Sequence, residues 1–243
     1  MNAIKPHLIL AGTALAVSMV ASSATAGLVM TTTIDDFSDT NSSDFPLAVA
    51  AGILPSASAS ETGLSGVLGG DRLTELALTS DSGLAAAFVD DGNLLFELSS
   101  SLNATGTLGF GYGTSAGGSS LAANFVDQLG ISVSIAGFDF ASDSPLGITV
   151  TLTDEFLGEI ELTQSVTSSG AQDVVFLFQD FTPSGGGGSL LAFDNISGID
   201  VDFTYGGGAD FQITSIQTVI PAPGAAALLL SAGLVGPRRR RRN

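Results

Sequence analysis

The chain has 243 residues, enough to bury a substantial core in one large domain or two small ones. It carries 24 acidic residues, all between Asp35 and Asp210, and the only basic residue in that span is Arg72. Phosphate binding needs clustered Lys and Arg, so nucleic acid is excluded as a partner of this region. Divalent cations and cationic polymers are compatible with it, as is acidity that serves only to keep an exported protein dispersed.

The first element is at the N-terminus. Lys5 precedes an uncharged, mostly apolar stretch from Leu8 to Val20, and Ala24-Thr25-Ala26 offers a small-residue cleavage site before Gly27. This is the three-part layout of a secretory signal peptide. The apolar stretch is shorter than the ~20 residues of a typical membrane span. Residues 1–26 are therefore expected to be a leader, with Ala24 and Ala26 read by the signal peptidase and Gly27 starting the mature chain. His7 and Lys5 are the only residues of their types and both lie in the leader. The exported body thus has no His, Lys, Cys or Trp, and its fold holds without disulfides.

Residues 27–219 are expected to form one all-β domain, an antiparallel β-sandwich of jelly-roll type. In "GIDVDFTYG", Ile199, Val201, Phe203 and Tyr205 alternate with Asp200, Asp202 and Thr204. "ISVSI" and "GITVTLTD" alternate in the same way, and "EIELT" follows the latter after a turn at Glu155 to Gly158. Period-2 alternation puts apolar side chains on one face, the mark of half-buried strands. "AAAFVDDGNLLFEL" reads as a hairpin with "DDGN" as its turn. "DVVFLFQDF" is apolar on both faces and reads as a central strand. "GFGYG" (Gly109 to Gly113) reads as a strand whose glycine face meets something closely packed. Ser119 to Gly130 reads as a short helix or a strand, Asp39 to Glu61 as irregular, and Gly185 to Gly188 as a loop. All 15 Phe lie between Phe37 and Phe211, many on the apolar phase of these strands, and are expected to fill the core between two sheets.

The last element is residues 220–243. Pro221-Ala222-Pro223 is followed by an apolar run from Gly224 to Gly236 and then by Arg238, Arg239, Arg240, Arg241 and Arg242. As a helix the run would be ~20 Å long against a hydrocarbon core of ~30 Å, which makes a weak anchor. Five arginines hold its end on the cytoplasmic side while the leader sends the body outward. This layout resembles the PEP-CTERM sorting signal of bacteria, in a Pro-Ala-Pro variant with Ala222 where Glu is usual. The resemblance implies transient residence in the inner membrane, an exosortase-type processing protease as partner, and delivery to the cell surface or extracellular matrix. A permanent anchor that is never cleaved is the rival reading of the same residues. The fold expected overall is thus a β-sandwich flanked by an N-terminal signal helix and a short C-terminal transmembrane helix.

No catalytic residues emerge. Without His or Lys the body cannot assemble Ser-His-Asp, Cys-His or Ser-Lys chemistry, and zinc lacks its nitrogen and sulfur ligands. A carboxylate pair suffices for glycoside hydrolysis, but among 24 acids a pair is no signal. No cofactor is expected, apart from a structural calcium ion held by oxygens. Asp35 and Asp36 at the first strand and Asp210 at the last are its candidates, because first and last strands of jelly rolls are often neighbours. The sequence supports a structural or adhesive surface protein first, an exopolysaccharide-binding module as the alternative, and a glycoside-active enzyme third. A solvent-facing aromatic strip would favour binding, and the absence of Trp and the presence of only two Tyr speak against one.

Overall fold

A computed structural model of the chain describes residues 28–40, 45–90, 95–140, 145–156, 158–184 and 192–222. The leader with Ala24, Ala26 and Gly27, residues 91–93 of the expected "DDGN" turn, the glycine run at 185–188, and the tail from Pro223 through Arg238, Arg239, Arg240, Arg241 and Arg242 lie outside the described residues. Among the described residues no helix is long and apolar enough to cross a membrane.

The described chain folds into two seven-stranded antiparallel sheets. The strands are β1 (Leu28–Asp35), β2 (Leu47–Ala50), β3 (Ser56–Glu61), β4 (Arg72–Leu78), β5 (Leu84–Asp90), β6 (Leu95–Ser100), β7 (Gly106–Gly113), β8 (Gly130–Phe140), β9 (Leu146–Asp154), β10 (Glu159–Val166), β11 (Gln172–Leu177), β12 (Thr182–Pro183), β13 (Ile196–Tyr205) and β14 (Ala209–Pro221). The first sheet runs β11-β8-β14-β6-β5-β2, and the second β12-β10-β9-β13-β7-β4-β3. Strand β14 lies against β8 along one edge. Its other edge is shared, with β6 taking Asp210 to Ile213 and β1 taking Ile216 to Pro221. First and last strands are therefore neighbours, as expected from the sequence.

Alternation decides which side chains enter the core. Ile199, Val201 and Phe203 of β13, Ile148, Val150 and Leu152 of β9, and Leu108, Phe110 and Tyr112 of β7 are all buried and face the first sheet. A file of rings crosses between the sheets, with centroids 4.7 Å apart for Phe96 and Phe110, 6.0 Å for Phe110 and Phe203, and 5.4 Å for Phe203 and Phe211. Each fully buried Phe contributes about 1.5–3 kcal/mol of transfer free energy.

Three expectations are corrected. The segment expected to be irregular, Asp39 to Glu61, contains β2 and β3. Its alternation in "SASASE" is real, but the inward positions are Ala57, Ala59 and Glu61, two side chains too small and one too polar to register as an apolar face. The "DVVFLFQDF" strand β11 is at a sheet edge and pairs only with β8. Its second face is apolar without a second neighbour, and the free edge is covered from the other sheet, where the Gln164 side-chain amide donates to the Val175 carbonyl at 2.7 Å. Ser119 to Leu129 is neither helix nor strand. It is held by the Ala123–Ile196 bridge and by Phe125, whose buried ring stacks on Phe178 at 6.1 Å and closes one end of the sandwich.

Candidate binding face

The outward side of the second sheet is laid out in rows that cross six strands. One row reads Thr163, Thr149, Asp202, Gly109, Glu75, Ser58 from β10 to β3. The row beside it reads Glu161, Thr151, Asp200, Gly111, Leu73, Ser60. Apart from Leu73 and the glycines, every position in these rows carries a short hydroxyl or carboxylate side chain. The inward partners on the same strands are the core residues named above, so the face is the polar phase of the alternation that built the core.

The two glycines set the relief. Both occupy outward positions of β7, between β13 and β4; Gly109 lowers the floor in the middle of the sheet, whereas Gly111 is buried and lets the 114–116 turn pack down onto the strand. A Cβ on Gly109 would sit 2.6 Å from Asp202 Oδ1, so the carboxylate leans over the glycine. A Cβ on Gly111 would meet the Ser115 carbonyl at 2.8 Å. The result is a trough of about 280 Å³ lined by Ser56, Ser58, Glu75, Thr107, Gly109 and Asp202. Across its floor Asp202 and Glu75 stand two strands apart, about 10 Å between backbones at the usual strand spacing.

The electrostatics follow from this crowding. Asp202 is exposed at its tip but seated between strands, and burial, then Asp200, then Glu75 push its carboxyl up to about 6. Asp200 is also raised, by burial first, against a 2.6 Å hydrogen bond donated by Ser115 Oγ, with Glu159 and Glu75 adding repulsion. The face therefore holds a strong negative field and several hydroxyl groups. It offers hydrogen-bond acceptors and donors to a hydroxyl-bearing or cationic ligand and repels an anionic one.

The one basic residue of the domain is not on this face. Arg72 is fully buried beneath it, at the inward phase of β4. Its Nε and Nη2 donate to Glu61 Oε2 at 2.9 and 2.7 Å, Nη1 donates to Asp35 Oδ1 and Oδ2 at 3.2 and 3.0 Å, and Nη2 also donates to the Asp39 carbonyl at 3.0 Å. The guanidinium carbon lies 5.5 Å from the centroid of the Phe37 ring. The Tyr112 hydroxyl donates to Asp35 Oδ2 at 3.0 Å, and Thr40 Oγ1 donates to Glu61 Oε1 at 2.5 Å. Burial raises the Asp35 carboxyl, and the attraction of Arg72 offsets part of that rise. This network ties β1, β3, β4, β7 and the 36–40 segment at one point.

The calcium candidates are not brought to one place. Asp35 is committed to Arg72, Tyr112 and the Phe37 backbone N–H. Asp36 accepts from the Ser38 N–H at 3.0 Å. Asp210 lies opposite Ser99 and Asp139, whereas Asp35 lies opposite Ile216, six residues away along β14 and so about 20 Å. Among the described residues no group of three or more His, Cys, Asp or Glu is arranged to hold a metal ion. Of the sorting motif, Pro221 is the exposed last residue of β14, paired with Leu28, and Ala222 follows it. The expected start of the mature chain and the start of the tail therefore emerge side by side. The trough residues were not singled out from the sequence. The alternating glycines of "GFGYG" and aspartates of "GIDVDFTYG" were its visible signal, but their juxtaposition depends on the β7–β13 register.

No protein-family model matches the chain, and no curated protein matches it. Solved structures of similar overall layout exist. One is a family 11 carbohydrate-binding module from Clostridium thermocellum in complex with a mixed-linked tetrasaccharide, at 17% identity, covering 73% of this chain and 95% of that one, TM-score 0.37. Another is the agarase AgWH50C, at 7% identity, covering 79% of this chain and 26% of that one, TM-score 0.41. A third is the family 11 xylanase from Neocallimastix patriciarum, at 10% identity, covering 72% and 100%, TM-score 0.36. With TM-scores below 0.5, these likenesses say nothing about what this chain binds or does.

Proposed function

We propose that this chain is an exported surface or matrix protein whose β-sandwich binds polysaccharide without cleaving it, through the outer face of the second sheet. The trough over Gly109 supports this most, because it gathers oxygen-bearing side chains from four neighbouring strands at a height set by glycine. Sugar hydroxyls match such donors and acceptors. The acidic field restricts the ligand to neutral or amino-bearing polysaccharides. The face has no aromatic side chain in its two central rows, so stacking is missing and single-site affinity is low. A polymer that engages many copies offsets that weakness.

Delivery belongs to the same reading. The leader up to Ala26 starts export, the apolar run after Pro223 halts in the inner membrane, and Arg238 to Arg242 hold its end inside. An exosortase-type protease then cuts near Pro221-Ala222-Pro223 and frees the domain. Affinity electrophoresis tests the binding half. Mature wild-type chain is expected to be retarded in gels containing a neutral glucan, and the Ser58→Ala, Glu75→Gln, Asp202→Asn variant to run as in a blank gel. Equal mobility of wild type in both gels would remove the binding reading.

One observation favours a second reading. Asp202, whose carboxyl burial and the neighbouring acids push up to about 6, faces Glu75 across the trough, so two carboxyl groups flank one cleft, as glycoside hydrolysis requires. Release of new reducing ends from the bound polysaccharide, lost in Asp202→Asn, would establish catalysis in place of simple binding.

A further inference from the structure

A strand of a sandwich normally buries one of its two faces. The start of β1 does not. Leu28, Val29 and Met30 are 38%, 40% and 37% exposed, three consecutive apolar residues open on both faces. They pair with Pro221, Ile220 and Val219 at the end of β14, and the two strands form an apolar ribbon. Val219 is fully buried, while Ile220 is half-buried and Pro221 exposed, so the outer edge of the ribbon is Leu28, Val29 and Met30 with Ile220 and Pro221 beside them. Beside it, the Leu129 N–H donates to the Val219 carbonyl at 2.7 Å, and the adjoining turn exposes Val126 at 60% and Leu129 at 39%. The ribbon also carries no charged side chain. In a chain with 24 acidic residues, none occurs from Leu28 to Ile34 or from Phe211 to Ala222. Asp127 and Asp180 are the acidic residues on the neighbouring turns.

This end of the molecule is where the chain leaves the sandwich. Pro221 is the last residue of β14, and the apolar run of the tail begins at Gly224. Three residues span only ~10 Å, so a tail that enters a bilayer at Gly224 holds this end against the bilayer surface. We propose that the β1–β14 ribbon, with Val126 and Leu129, is a membrane-seating surface that lies on the outer leaflet while the tail is uncut. The proposal rests on the sorting-tail reading above. Its physical content is that an apolar rim, with the Asp127 carboxylate at its margin, lies in the interfacial layer while the acidic faces stay in water. It places the Pro221-Ala222-Pro223 motif at the membrane surface in one orientation, within reach of a membrane-embedded protease.

The absence of cysteine makes the test direct. Single-cysteine chains that keep residues 221–243 are made at Val29, at Val126, at Ile53 near the opposite end, and at Leu229 in the tail. Each carries an environment-sensitive fluorophore and is reconstituted in phosphatidylcholine vesicles with nitroxide-labelled lipid. The labels at Val29, Val126 and Leu229 are expected to shift to the blue and lose at least half their emission to lipid nitroxide, with Ile53 unaffected. A Leu229 label in lipid with Val29 and Val126 labels in water overturns the seating surface alone. A Leu229 label in water overturns the tail reading and the seating surface together. A blue shift at Val29 that grows with protein concentration but is not quenched means that a second copy covers the ribbon, and also overturns the proposal.

Discussion

Replacing Arg72 with Met removes the only positive charge from a buried cluster that holds two carboxylates. The guanidinium makes five hydrogen bonds, to Glu61, to both Asp35 oxygens and to the Asp39 carbonyl, at 2.7–3.2 Å. Met fills part of the volume but leaves the carboxylates without a counter-charge. Breaking a buried pair by removing one partner costs about 3–5 kcal/mol. For a domain of this size that corresponds to a melting-temperature loss of roughly 6–20 °C. The deficit must depend on pH in a definite direction. Burial already raises the Asp35 carboxyl, and loss of Arg72 raises it further. A group whose pKa is higher folded than unfolded contributes stability at low pH that is lost as pH rises through the folded value. Urea unfolding should therefore show the largest deficit near pH 7.5 and a smaller one near pH 5. Arg72→Met combined with Asp35→Asn and Glu61→Gln should recover roughly half of the loss, because the buried charges are gone. An Arg72→Met variant within about 1 kcal/mol of wild type at pH 7.5, or one whose deficit grows on acidification, would refute the reasoning.

Further outcomes follow from the same geometry. Gly109→Val places a branched side chain where a single Cβ already meets Asp202 Oδ1 at 2.6 Å, so the exposed carboxylate must swing aside: stability should change by less than about 1 kcal/mol, while the Asp202 titration, followed by carboxyl NMR, moves away from about 6. Because Asp202 is raised from 3.8 to about 6, its contribution to stability is full below pH 3.8 and is lost as pH rises through about 6; Asp202→Asn should remove that part of the thermal-stability profile. Asp154 accepts from the backbone N–H groups of Phe156, Gly158 and Ala192 at 2.8, 2.8 and 3.1 Å, and these outweigh burial to hold its carboxyl below 3.8. Its contribution is present above pH 3.8 and lost as pH falls, so Asp154→Ala should cost about 1–3 kcal/mol at pH 7 and less in acid, by urea unfolding. Intact-mass measurement of the protein from its host should find a chain that begins at Gly27 and ends near Ala222; a retained Met1 would contradict export.

The sandwich was legible because its strands alternate strictly. In β13, β9 and β8 the inward residues are large and apolar, so both the strands and their buried faces could be read directly. Edge strand β3 escaped notice because its inward side chains are two alanines and the acidic Glu61. Strand β11 was misplaced because a second apolar face reads as a second sheet neighbour, while the neighbour is the Gln164 side chain from the other sheet. The candidate site was far less legible. Asp202, Gly109 and Glu75 are adjacent only through the pairing of β13, β7 and β4, and residues separated so widely in sequence carry no mark of their register. Arg72 stood out as the lone cation, yet its partners were hidden: Asp35 read as a calcium candidate, and Glu61 closed a segment that read as irregular. Aspartates chosen for proximity of first and last strands failed to converge because β14 is long: β1 meets its far half and Asp210 lies in the near half.

The central claim is that polysaccharide binds to the outer face of the second sheet. Amide NMR of the isotope-labelled mature chain, titrated with a soluble neutral oligosaccharide, locates the contact residue by residue. The account predicts shifts clustered at Ser56, Ser58, Glu75, Thr107, Gly109 and Asp202, absent in the variant carrying Ser58→Ala, Glu75→Gln and Asp202→Asn. Shifts centred instead on Glu97, Asp139 and Asp210 of the first sheet, or no shifts with any neutral or amino-bearing saccharide, would contradict it.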